Sequence, residues 1–257
     1  MFAKRLLAVL VPAILASTAA HAGIALIGKG TLSGTDLSGL TNTLEDGAAA
    51  NILGGMGSAI AWAGGSTFLL TPDRGPNAST WNAAVDNTTS WIPRYQTIDL
   101  GLGGATFSTG SIATLTPTLS ATTLLSSASA LNYGSAPVLT GTSGQNYFTG
   151  RSDAFDAGLS TNSSNARFDP EGIRVTADGK SVYITDEYGP YIYRFDRGTG
   201  ERTGVITLPE KFAATTPAAT EAAEIAANTS GRVANKGMEG LAITPDGKTL
   251  VGIMQSP

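Results

Sequence analysis

The 257-residue sequence has no cysteine and a single histidine, His21. Without cysteine there is no disulfide framework, no thiolate nucleophile and no sulfur ligand for a soft metal, so an exported form must be held together by packing. Charged residues are scarce, 14% of the chain. Long apolar runs are scarce too: Leu6 to Ala16 is the longest, and at eleven residues it is too short to span a bilayer. Almost no segment repeats its apolar residues at helical period. What is plentiful is glycine, 32 residues, with serine and threonine, a composition that favours an all-β chain.

Met1 to Ala22 reads as a signal peptide. Lys4 and Arg5 form its basic start, the apolar run follows, and Ala20-His21-Ala22 fits a small-x-small cleavage site, leaving 23–257 as the mature domain, secreted or periplasmic. His21 leaves with the signal. The mature chain then has no Ser-His-Asp triad, no histidine phosphatase chemistry and no histidine metal ligand. Carboxylates, hydroxyls, carbonyls, Arg and Lys remain, a set that suits hard cations such as calcium. Removing Lys4 and Arg5 from 16 basic residues leaves 14 against 20 acidic ones, a formal charge of −6 that opposes nucleic-acid binding.

The most informative stretch is Asp169 to Phe195. Ile173 and Val175, then Val182 and Ile184, alternate with polar residues at period two, which argues for strands. Ala177-Asp178-Gly179-Lys180 supplies the hairpin turn. Tyr191 to Phe195 and Gly204 to Leu208 add two more runs, and four antiparallel strands in about forty residues is the size of one propeller blade. The pattern returns 68 residues on: EGIRVTADGK from Glu171 matches EGLAITPDGK from Glu239 at six of ten positions. Ser58 to Pro76 is a weaker third copy. Tyr95 to Leu100 and Thr106 to Leu119 read as strands, and Ile24 to Ile27 as a short one. Trp81 to Arg94 reads as a loop, Ser120 to Ala166 as an irregular insertion between blades, and Ala218 to Ala227 as an exposed lid helix without chemistry. After Thr249 to Ile253 no third strand follows, so the chain reads as the N-terminal fragment of a propeller, six-bladed when complete, with an unfinished last blade.

Asp169-Pro170-Glu171-Gly172, Thr185-Asp186-Glu187-Tyr188-Gly189, Gly237-Met238-Glu239-Gly240-Leu241 and Asp73-Arg74-Gly75 resemble the phytase-like domain family described as having esterase-like activity, over about Leu53 to Pro257. The resemblance implies a secreted β-propeller with a hydrolase label and kinship with calcium-dependent propeller phytases. The acidic DDPA-type motif of those phytases is missing, a departure that counts against phytate itself.

Equivalent places in a ring of blades converge on its axis. Glu171 and Glu239 each precede an inner strand, Asp186 and Glu187 end a second strand, and Asp73 ends the matching strand of the first hairpin. Carboxylates so gathered repel unless a cation joins them, which makes Asp73, Glu171, Asp186, Glu187 and Glu239 candidate calcium ligands. Glu171 and Glu187 are candidate bases, and Arg74 a candidate for orienting the substrate. A structural role competes at each: hydrogen bonds to backbone amides for the carboxylates, a salt bridge for Arg74. Asp178 and Asp246 read as turn residues. Three functions stay open. The first is a metal-dependent (phospho)esterase of small-molecule esters, monomeric when complete. The second is a lactonase or carboxyl-esterase using the same centre. The third is a non-catalytic propeller that binds a ligand or a protein. If the leader is read correctly, N-terminal sequencing of the exported protein gives Gly23 as the first residue; cytoplasmic protein that keeps Met1 overturns that expectation.

Overall fold

Period-two runs of β-branched and aromatic residues become strands wherever glycine turns let the chain reverse. In the computed structural model, which describes residues 26–78, 88–103, 113–155, 161–218, 221–233 and 235–256, β1 is Gly28–Lys29, β2 Ala59–Gly64, β3 Thr67–Thr71, β4 Arg94–Leu102 and β5 Ala113–Leu124. Two-residue strands β6 (Ser126–Ser127) and β7 (Asn146–Tyr147) follow. Then come β8 (Pro170–Val175), β9 (Ser181–Asp186), β10 (Tyr191–Asp196) and β11 (Arg202–Thr207). A single α-helix among the described residues, α1 (Glu221–Ala227), precedes β12 (Met238–Ile243) and β13 (Leu250–Met254). The proposed cleavage site and Trp81 lie outside the described residues.

The strands form a five-stranded sheet in the order β1-β5-β4-β3-β2, a four-stranded meander β11-β10-β9-β8, and the pairs β12-β13 and β6-β7. All neighbours are antiparallel except β1, which lies parallel to β5 with Gly28 opposite Ala113. Strands β2, β8 and β12 are edge strands of their sheets, and β8 packs against both of the others, so the three sheets follow one another in a propeller-like, all-β arrangement. Gly172 permits the closest of these approaches. A Cβ there would lie 2.7 Å from Leu241 Cβ, 2.9 Å from Thr185 Oγ1 and 3.0 Å from the Glu239 carbonyl oxygen.

The core fills the space between sheets. Ala61, Leu69 and Tyr95 from the first sheet meet Ile173, Val182, Ile184, Tyr193 and Phe195 from the second. Phe148 and Phe168 sit between them with ring centroids 5.3 Å apart, and Phe168 meets Tyr193 edge-on at 5.2 Å. A smaller cluster of Ile192, Met238 and Leu241 joins the second sheet to the third.

Three expectations change here. Residues 120–166, expected as an irregular insertion between blades, do more than cross: β5 runs through Leu124, beyond the expected end at Leu119, and Leu125, Leu131, Tyr133, Phe148 and Ala166 are buried in the main core. Their polar neighbours hide a wedge of apolar residues too widely spaced to show a period. The early strand is Gly28–Lys29, and Leu26 and Ile27, inside the expected strand, are exposed. Helix α1 is not merely an exposed lid, because Glu224 turns inward and pairs with Arg232 at 2.8 Å. The segment before β2 is fastened by Asp36, whose buried carboxylate accepts a hydrogen bond from Arg94, itself 3.6 Å above the Trp91 ring.

Gly172→Ala forces a methyl group into the seam between β8 and β12 and is expected to cost about 1–3 kcal/mol in denaturant unfolding. Gly204→Ala, whose Cβ would meet nothing closer than Arg194 Cβ at 3.6 Å, is the control and should be near neutral.

Candidate functional site

Antiparallel hairpins put the start of a first strand and the end of a second strand at the same edge of a blade. Pro170 pairs with Asp186, so Asp169 and Glu171 at the start of β8 share that edge with Asp186 and Glu187 at the end of β9. Asp73 and Arg74, two and three residues past the end of β3, and Glu239, second in β12, lie at the equivalent edges of their own hairpins.

Both glutamates of the repeated Glu-Gly pair sit in bulges. Between Pro170 and Ile173 the chain advances three residues while its partner advances two, from Asp186 to Ile184. Between Met238 and Gly240 it advances two while its partner advances one. One extra residue in a strand breaks the alternation and re-aims a side chain. At β8 the irregular stretch is stitched by the Gly172 amide, which donates to Thr185 Oγ1 at 2.6 Å.

Carboxylate oxygens of Asp73, Asp169 and Glu171 all lie within 4.8 Å of one another, a group that could hold a metal ion. Asp169 and Glu171 are buried, whereas the Asp73 side chain is half exposed. Arg74 is the cation nearest the group: its Nη1 lies 2.8 Å from Asp169 Oδ2, 3.6 Å from Asp73 Oδ1 and 3.7 Å from Glu187 Oε2. The salt bridge that competed with a substrate role for Arg74 is therefore present. Asp169 Oδ1, fully buried, has no N–H or hydroxyl donor among the described residues, and the acid close to Asp169, Asp73, can meet it only by sharing a proton.

Burial and mutual repulsion shape the titration. Burial pushes the Glu171 carboxyl up to about 9, with the charges of Asp73, Glu187 and Glu239 adding to the rise and a hydrogen bond from Ser58 opposing it. Asp169 is raised well above the usual carboxylate range by burial, against the pull of Arg74. Glu187 is raised by burial as well, although the Gly237 amide donates to its Oε1 at 3.0 Å. Glu239 is only part-buried and stands outside the close trio.

Asp186 is turned away. Its Oδ1 accepts the amides of Asp169 at 3.1 Å and Tyr188 at 3.0 Å, and its side chain borders a small void with Tyr191, Tyr193 and Arg167. Burial brings it up to about 7. Asp178 and Asp246 are turn residues on the surface, each accepting from the Thr two positions earlier, at 2.6 Å from Thr176 and 2.5 Å from Thr244.

Reasoning from sequence passed over Asp169, although it opens the quoted motif. The signal was present: Pro170 bars the helical region for the residue before it, so Asp169 is held extended at the mouth of a strand where no turn requires an acid. It also passed over the support beneath the site. Tyr188 donates to the Gly150 carbonyl oxygen at 2.9 Å, Arg232 Nε donates to the Tyr188 carbonyl at 3.1 Å, and the Arg167 guanidinium lies 4.7 Å from the Tyr188 ring.

The family described as "Phytase-like: Esterase-like activity of phytase" matches residues 51–257. An "Uncharacterized secreted protein" of Arthroderma benhamiae (strain ATCC MYA-4681 / CBS 112371) is 37% identical over 101 residues, covering 34% of this chain and 19% of that protein. The chain thus aligns with about a fifth of the length of that relative. No helix among the described residues is long and apolar enough to cross a membrane.

A carboxyl raised from its ordinary 4.5 to about 9 holds its proton in the folded, metal-free chain where the unfolded chain has released it. Its protonated form is fully compatible with folding below about 4.5, and that stability is lost as pH rises toward 9. Metal-free protein should therefore melt at progressively lower temperature between pH 5 and pH 9. In Glu171→Gln, which cannot ionise, its share of that slope should disappear while Asp169, Asp186 and Glu187 keep the remainder; an unchanged slope assigns the pH dependence to those groups alone.

Proposed function

The chain belongs to the phytase-like family, and we propose on that footing that it is a secreted hydrolase of ester or phosphoester bonds centred on Asp73, Asp169 and Glu171, with calcium as its ion. The observation that carries the reading is the state of Asp169: a fully buried carboxylate with one oxygen on Arg74 and the other without an N–H or hydroxyl donor among the described residues, close beside two further acids. Such an oxygen calls for a proton or a cation, since burying an unpaired charge is costly.

The donor set fits a hard divalent ion, being all carboxylate oxygen with no sulfur or imidazole within it. Asp73, Asp169 and Glu171 would hold it, and Glu187 and Glu239 would add negative field around it. Bound there, a divalent cation supplies a Lewis acid for an ester or phosphoryl oxygen and offsets the repulsion among the acids.

The chain's own groups have distinct parts in this reading. Glu171 would serve as an ionised ligand: its carboxyl accepts a hydrogen bond from Ser58, and the proton that burial lets it keep in the metal-free chain would be released when a cation binds. Arg74 is a positioning residue that fixes Asp169 and faces Glu187. Glu187, held by the Gly237 amide, ties the edge of the second blade to the approach of the third. Asp186 keeps the turn after β9 in shape through the amides it accepts. The leader over residues 1–22 would deliver the domain to the secreted or periplasmic compartment, where free calcium is sufficient for weak sites.

Calcium titration by calorimetry on wild type, Glu171→Gln and Asp178→Asn checks this. The first substitution should weaken binding roughly tenfold or more, since it removes one charged ligand, and the second should leave it unchanged. Hydrolysis of an aryl acetate and an aryl phosphate should fall on chelation and return with calcium. Equal affinity in all three proteins would leave the carboxylates a structural role, and chelator-insensitive hydrolysis would remove the metal from the chemistry.

A further inference from the structure

The Asp73 carboxylate belongs to two places at once. It is a member of the close acidic trio, and it borders a groove of about 530 Å³ walled by Leu32, Ile52, Leu53, Pro72 and Pro76. That volume lies within the roughly 300–1,000 Å³ of small-molecule sites, which are mostly apolar with a few convergent polar groups. Glycines keep the groove open: a Cβ at Gly34 or Gly55 would meet nothing within 4 Å.

The charge of the groove restricts what can enter. Asp73 is the one charged residue on its described wall, and no Lys or Arg lines it. Arg74, the next residue, directs Nη1 inward to Asp169 and is largely buried. A phosphate monoester carries about −1.5 to −2 charge at neutral pH, and a polyphosphate several times that. Such a ligand would meet a carboxylate at the groove and further carboxylates behind it, with no cation on the wall to receive its remaining charge. An uncharged aliphatic or aryl chain meets Leu, Ile and Pro side chains and loses apolar area from water instead.

We infer that this groove holds the apolar arm of a neutral carboxylic ester, whose ester group then lies at Asp73 beside Asp169 and Glu171. The assignment rests on the hydrolase reading above and narrows its substrate class, away from polyphosphates and toward monoesters with a chain of several carbons. Hydrolysis of such an ester adds water across the acyl–oxygen bond, giving a carboxylic acid and an alcohol, with no oxidant or reductant required.

The test separates the groove from the chemistry. Methyl ketones from 2-butanone to 2-octanone mimic the ester carbonyl and cannot be hydrolysed, so their affinity, measured by calorimetry on the calcium-supplemented chain, reports the groove alone. Affinity should rise roughly fourfold per fully buried methylene. Ile52→Asp, at a side chain already 39% exposed, should flatten that rise. Gly55→Phe, at a position where a Cβ would meet nothing within 4 Å, should truncate it, leaving 2-butanone bound and 2-octanone rejected. Ile206→Asp, an exposed apolar position on the far strand β11, should keep the wild-type slope. No chain-length dependence, or the same slope in the Ile52 and Gly55 variants, overturns the groove assignment. The ester arm of the experiment compares p-nitrophenyl acetate with p-nitrophenyl octanoate, the longer ester showing the lower KM in wild type and losing that advantage in Gly55→Phe. Hydrolysis that is indifferent to chain length yet abolished by Glu171→Gln would overturn the groove while the hydrolase reading stands. Ketone binding with the expected slope but no hydrolysis of either ester would overturn the ester assignment while the groove stands.

Discussion

Repulsion among buried carboxylates is the constraint from which the rest of the structure follows. Asp169 and Glu171 are buried within a few ångströms of Asp73, and Arg74 is the cation against them. In a medium less polarisable than water, like charges at that separation raise each other's proton affinity and work against the fold that gathers them. Whatever holds them must therefore be rigid, and the surrounding architecture answers that need.

The rigidity is made of close backbone approaches. Gly172 lets β8 touch β12, Gly237 lies where a Cβ would fall 2.2 Å from the Glu187 carbonyl oxygen, and Gly150 lies 1.8 Å by the same measure from that of Arg74. Each approach joins a residue that carries charge to a neighbouring segment through main chain, which has fewer ways to yield than a side chain. The same logic explains the buried network under Tyr188. Arg232 and Arg167 draw Glu224 inward from α1, at 2.8 Å and 4.0 Å, so the connection between the second and third sheets is anchored directly behind the acidic edge.

Much of this was legible in the residues, and the unreadable part has a physical reason. The meander from Pro170 to Thr207 announced itself because period-two runs and glycine turns are local signals, and the recurrence of Glu-Gly at the start of two inner strands, β8 and β12, pointed to one edge. The share of residues 120–166 in the core was not foreseen because Leu125, Phe148 and Ala166 are buried by tertiary contact alone, with no period to reveal them. Spacing likewise placed Asp186 and Glu187 side by side but could not say which way each faces. Adjacent residues at a strand end point apart, so Glu187 reaches Arg74 and Gly237 while Asp186 turns to the amides behind it. Asp169 needed knowledge of which neighbour would carry the compensating charge, and that neighbour, Arg74, is 95 residues away.

The paired bulges carry a further meaning. Each inserts one extra residue at the start of an inner strand, and a glutamate lies within both, Glu171 with Gly172 in β8 and Glu239 alone in β12. Ahead of β2 the sequence offers Gly57 and Ser58 instead, so the first hairpin brings a hydroxyl where its counterparts bring an acid. The bulge thus acts as a unit of valence. A blade that carries it brings one more ionisable carboxyl to the hub than the first hairpin does at the same place, beyond the acids that Asp73 and Asp169 supply from elsewhere in their blades, so the electrical capacity of the hub grows by whole blades as well as by single residues.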